Sequence, residues 1–116
     1  MLIFTPEGFI SVVATDSNDL RIWARDKKSL YALAGSDRIE CLPDCEYPYS
    51  LTIDRGDFLF WLTVQVSSLI YTDLEKELSR SRGRKYAKSL RRIQKVMHLV
   101  EDATARIGVG DGIRQN

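Results

Sequence analysis

Eight basic residues fall within sixteen consecutive positions of this chain: Arg80, Arg82, Arg84, Lys85, Lys88, Arg91, Arg92 and Lys95. No Asp or Glu interrupts them. They are 8 of its 17 Lys and Arg residues, so the rest of the chain sets 9 basic residues against 16 acidic ones. A whole-chain charge of +1 thus hides a strong separation of charge. Cations at this density can neutralise an acidic partner. Nucleic-acid phosphates would pair with them and release condensed counterions, and an acidic protein surface would offer carboxylates instead. The plainer readings are a solvated face, or neutralisation by the chain's own acids.

A second grouping is Arg21, Trp23 and Arg25, which share one face of an alternating segment. An aromatic ring between two cations can stack a base while the cations hold the backbone. An outer sheet surface, partly covered, gives the same pattern.

The remaining chemistry-bearing residues do not assemble into a catalytic motif. Cys41 and Cys45 are spaced C-x3-C, which is neither the redox spacing nor half of a four-ligand zinc set, because His98 is the only histidine and lies far along the chain. Reduced structural thiols are expected, with a disulfide as the alternative. His98 flanks an apolar seam and reads as a packing residue. Asp73, Glu75 and Glu77 have ordinary helix-surface spacing. The run from Gly108 to Gly112 lacks the Lys-Ser/Thr ending of a phosphate loop. The expectation is no enzyme, no catalytic residue, no cofactor, no metal site and no small-molecule substrate.

The elements that must carry these groups follow from periodicity. Leu2–Thr5 can form a short strand ending at Pro6-Glu7-Gly8. Phe9–Thr15 is rich in β-branched residues, which suit a pleated surface. Leu20–Ala24 alternates, with Leu20, Ile22 and Ala24 on one face. Asp16-Ser17-Asn18-Asp19 between them makes an antiparallel hairpin. Asp26 can cap a short helix that ends at Gly35. Arg38–Leu42 and Tyr47–Ile53 read as further strand segments, with Pro48 restricting its position to an edge or a strand start.

Asp54 then caps a long helix. Phe58, Leu62, Val66 and Leu69 form its main stripe, but Phe60 and Val64 fall opposite and Trp61 lies on a flank. Apolar residues on nearly every side predict burial on two faces, between the sheet and another helix; an exposed homodimer face is the alternative. Ser79–Gly83 is a poor helix former and reads as a loop or bend. Lys85–Ala103 is the clearest helix: Tyr86, Leu90, Ile93, Met97 and Val100 repeat at +4, +3, +4, +3. At about 100° per residue the basic residues from Arg84 to Lys95 occupy the opposite arc. Their mutual repulsion costs a few tenths of a kcal/mol, about 0.2–0.5 per neighbouring pair, and calls for an acidic counterpart.

These elements predict an α+β fold: a small antiparallel sheet of three to four strands from residues 2–25 and 38–53, with a short helix 26–35 and two longer C-terminal helices packed on one face. One domain over 1–106 and a flexible, glycine-containing tail over 107–116 are expected. The 116 residues suffice for one core. No signal-peptide pattern opens the chain and no run approaches the roughly 20 apolar residues of a membrane span, so a cytoplasmic protein without membrane contact is expected.

The order GFISVV, LRIWARD, YPYSLTIDR, a long apolar helix and LIYTDLEKEL resembles a widespread group of small bacterial proteins. Arg25, Tyr47, Tyr49, Tyr71 and Lys85-Tyr86-Ala87 fall at matching places, over about residues 8–97. Leu74-Glu75-Lys76, the basic stretch and the tail depart from the group's pattern. The resemblance implies a small intracellular α+β domain and brings no established activity. The function expected is a non-enzymatic binding module whose cationic helix engages nucleic acid or an acidic protein. A small inhibitor or adaptor of the phage or mobile-element type, docking through aromatic and apolar surface, is the alternative.

Overall fold

The computed structural model describes residues 1–115, with side chains for 1–35 and 37–105. Strands β1 (Leu2–Thr5), β2 (Gly8–Ala14), β3 (Asp19–Ala24), β4 (Glu40–Cys41) and β5 (Tyr49–Asp54) precede helices α1 (Arg55–Ser67), α2 (Leu74–Arg82) and α3 (Arg84–Gln115). The architecture is α+β. All strand pairs are antiparallel, in the order β1-β2-β3-β5-β4.

Five strands form rather than the three to four expected, because both marginal segments are held from outside themselves. The β1–β2 turn closes on Gly8, whose φ of 143° is open only to a residue without a side chain. The N-terminal amino group donates to the Val12 carbonyl at 2.9 Å. Two-residue β4 pairs Glu40 with Ser50 and Cys41 with Tyr49. Arg21 reaches across to Glu40 at 2.7 Å.

Alternation sorts the sheet into two faces. Ile10, Val12, Leu20, Ile22, Ala24, Leu51 and Ile53 make one buried surface with Leu30, Ile39 and Phe58. Ser11, Arg21, Trp23, Ser50 and Thr52 lie on the other. Asp54 begins α1 as predicted, accepting from the Gly56 amide at 2.8 Å and the Asp57 amide at 3.4 Å.

The expected helix 26–35 is instead a 3-10 turn, Lys28–Leu30, extended by further tight turns. Leu30 N–H donates to the Lys27 carbonyl and Leu33 N–H to the Leu30 carbonyl, both i→i−3 bonds. Three C-terminal helices replace the expected two. The segment taken for a bend, Ser79–Gly83, continues α2 to Arg82, and Gly83 at φ 95° turns the chain directly into α3. Leu78 is buried and Arg82 is tied to the sheet, which outweighs the weak local propensity.

The helices do not share one face. α1 covers the Ile22–Leu51 surface. The α2–α3 pair seats on the β1–β2 end, where Leu78, Ala87 and Leu90 pack with Phe4 and Tyr86. Phe4 is paired with Phe9 and points away from Ile3, which joins the main core. Consequently α1 is not sandwiched. Only Phe58 of α1 is buried, while Leu59, Phe60, Val64 and Val66 are exposed, and no described element covers its outer side. The predicted tail, 107–116, lies outside the residues described with side chains, and Asn116 outside those described at all.

Candidate acidic-partner interface on the last helix

Gly83 sets the direction of α3, and Tyr86, Ala87 and Leu90 fix its rotation by facing the body. That rotation places Arg84, Lys85, Lys88, Arg91, Arg92 and Lys95 on the exposed side. Their positions follow from the 3.6-residue repeat once the seam is seated.

The eight basic residues do not act as one group. Arg82 points inward, with 11 % of its side chain exposed. Its Nη2 donates to Asp26 Oδ2 at 2.5 Å and its Nη1 to the Glu7 carbonyl at 2.5 Å. Its guanidinium lies 4.0 Å from the centre of the Tyr86 ring. Arg82 therefore docks the helices on the sheet and is not part of the open surface. Burial pushes the Asp26 carboxyl up, but hydrogen bonds from Ser29 and Arg82 outweigh it and hold the group below its ordinary value.

α2 supplies acids to the side of the cluster that it borders. Glu75 accepts from Arg91 at 3.1 Å, and Glu77 pairs with Arg80 one turn along the same helix. These pairs are exposed, so each is worth little in stability, yet they neutralise two of the cations. Arg84, Lys85, Lys88, Arg92 and Lys95 form no ion pair among the described residues. The open set is five residues over about 17 Å of helix at 1.5 Å per residue. That arrangement can take a row of anionic groups.

The second grouping separates. Arg21 is engaged by Glu40, by Thr52 Oγ1 at 2.7 Å and by Ser50 Oγ at 2.9 Å, and its guanidinium sits 5.2 Å from the Trp23 ring centre. Three of its N–H donors are taken up within the sheet. Arg25 lies beyond the end of β3 and lines a cavity of about 240 Å³ with Phe9, Ser29 and Tyr86. Arg21, Trp23 and Arg25 thus do not form one stacking platform.

His98 is exposed on α3, and Cys41 and Cys45 are exposed free thiols. Among the described residues no three His, Cys, Asp or Glu side chains gather to hold a metal, and no helix is long and apolar enough to cross a membrane.

One feature escaped the sequence reading. The Arg82–Asp26 bridge joins residues 56 positions apart, which no local pattern can reveal. The uncovered side of α1 was present in that reading only as the alternative to burial on two faces, and Phe60 is 71 % exposed. Comparison with protein-family models, with curated proteins and with solved structures finds no match.

Proposed function

We propose that this chain is a non-enzymatic binding module whose last helix engages the phosphates of a nucleic acid. One observation carries this reading: Arg84, Lys85, Lys88, Arg92 and Lys95 stand on one outward arc and form no ion pair with a described acid. Phosphate neutralisation offsets their mutual repulsion and gains counterion release. The surface holds no described aromatic beside these cations to read a base, so binding follows charge and backbone rather than sequence. Fluorescence anisotropy with labelled duplex and single-stranded oligonucleotides tests it. Binding that disappears in Lys88→Glu/Arg92→Glu is the expected result. Binding of an acidic polypeptide alone would transfer the surface to a protein partner, and no binding of either would reject it.

A second reading rests on a different observation. The exposed Leu59, Phe60, Val64 and Val66 of α1, with Leu69 and Ile70 after it, form apolar surface that suits an adaptor or inhibitor docking on another protein. Under it, Phe60→Glu abolishes partner capture while the charge reversal on α3 leaves capture intact.

A further inference from the structure

The apolar seam of α3 does not stop where the body stops. Tyr86 and Leu90 are seated against α2 and the β1–β2 end. Ile93, Met97 and Val100 continue on the same face at the same +3, +4, +3 spacing, and they are 38 %, 48 % and 60 % exposed. A seam at this period is the pattern by which one helix packs along another. No described helix lies on its second half.

We propose that this exposed half of α3 pairs with the same segment of a second copy of the chain, the two helices running antiparallel. Three properties of the segment select this occupant. First, with Leu90 and Met97 at one core position of the heptad and Ile93 and Val100 at the other, the flanking positions hold Ser89, Gln94, Val96, Glu101 and Ala103. Only Glu101 among these is charged. Every cation from Arg84 to Lys95 falls at an outer position, so a second copy approaches the seam without like charges across it. Secondly, charge changes sign along the helix. Residues 84–95 carry six cations and no acid, whereas 96–105 carry Glu101 and Asp102 and no Lys or Arg. Antiparallel pairing sets each helix's acidic end beside the other's basic end; parallel pairing would set the two basic ends side by side. Thirdly, a two-fold contact is self-complementary, so one apolar stripe covers both copies at once. This dimer goes beyond the proposed nucleic-acid reading. The seam faces away from the cationic arc, and both arcs stay open.

The test is sedimentation equilibrium on the nuclease-treated full chain over a wide concentration range, with circular dichroism to follow folding. The wild type should show a reversible monomer–dimer equilibrium. Met97→Glu should be monomeric with an unchanged spectrum, because Met97 is half exposed in the single chain. Phe60→Glu on α1 should dimerise like the wild type. For the orientation, Glu101→Lys/Asp102→Lys should weaken the dimer severalfold at low salt, because the opposed helix ends then repel through solvent where they had attracted. The proposal is overturned by a wild type that stays monomeric at concentrations approaching about 1 mM, where even a very weak interface shows. It is equally overturned by a Met97→Glu variant that still dimerises, or by dissociation in Phe60→Glu alone. A dimer unaffected or tightened by the Glu101/Asp102 reversal overturns the antiparallel arrangement. Oligonucleotide binding is read separately, so failure of the dimer and failure of the cationic face are distinguishable.

Discussion

Replacing Arg82 with alanine should detach α2 and α3 from the sheet more than any exposed change on those helices. The side chain is 11 % exposed and joins three groups at once: the Asp26 carboxylate, the Glu7 carbonyl and the Tyr86 ring. A hydrogen bond involving a charged group contributes about 1.5–3 kcal/mol, and a cation over a tyrosine about 0.5–1 kcal/mol at a partly exposed site. The terms do not simply add. Asp26 is 37 % exposed and keeps the Ser29 amide at 3.1 Å and the Ser29 hydroxyl at 2.6 Å, so the carboxylate left behind is not bare. The net cost is therefore about 2–3 kcal/mol, below the roughly 3–5 kcal/mol of breaking a fully buried pair. Urea unfolding of wild type, Arg82→Ala, Asp26→Ala and the double variant measures both the cost and the coupling. A coupling of about 1 kcal/mol or more is expected for residues in one network. A loss under about 0.5 kcal/mol with no coupling would mean that Arg82 is solvated. The docking would then rest on the apolar contacts of Leu78, Ala87 and Leu90.

Leu90→Ala should destabilise by roughly 2–5 kcal/mol in the same urea assay, since Leu90 is buried between α2 and Phe4. Gly8→Ala should cost at least about 2 kcal/mol in thermal or urea unfolding: φ is 143° and an added Cβ would stand 2.3 Å from Ser29 Oγ, 2.8 Å from the Arg82 guanidinium and 3.0 Å from the Tyr86 hydroxyl. Acidification should weaken the same junction. The folded Asp26 carboxyl sits below its ordinary value of 3.8, so its contribution is complete above that value and is lost as pH falls through the lower folded one. Unfolding across the acid range should show a steeper loss for wild type than for Asp26→Asn.

The legible part of the fold was that written in local pattern. The alternation of Leu20, Ile22 and Ala24 and of Leu51 and Ile53 placed the core face of β3 and β5, and Asp54 announced α1, because side-chain period and capping are properties of neighbouring residues. The short helix over 26–35 formed only as a tight turn: Asp26 does accept the Ser29 amide as a cap would, but the turn it opens is built of i→i−3 bonds, and its carboxylate is also held by Arg82, which comes from a distant element. The position of α1 was misjudged for a related reason. Apolar residues on every side, from Leu59 to Val66, state only that cover is desirable, not which element supplies it. On α3, the 3.6-residue repeat separated the cationic arc from the seam in advance. It could not show that Arg82 turns inward or that Glu75 and Glu77 occupy Arg91 and Arg80.

The most direct test of the cationic face is the salt dependence of oligonucleotide affinity. Five open cations set an upper bound of about −4.5 on the slope of log K against log salt for duplex DNA, at about 0.9 per phosphate contact. Wild type should approach that bound. A single exposed substitution, Arg92→Gln, should weaken binding and flatten the slope by about 0.9, while urea stability stays within about 0.5 kcal/mol of wild type. A slope near zero, or one that Arg92→Gln leaves unchanged, would contradict the account.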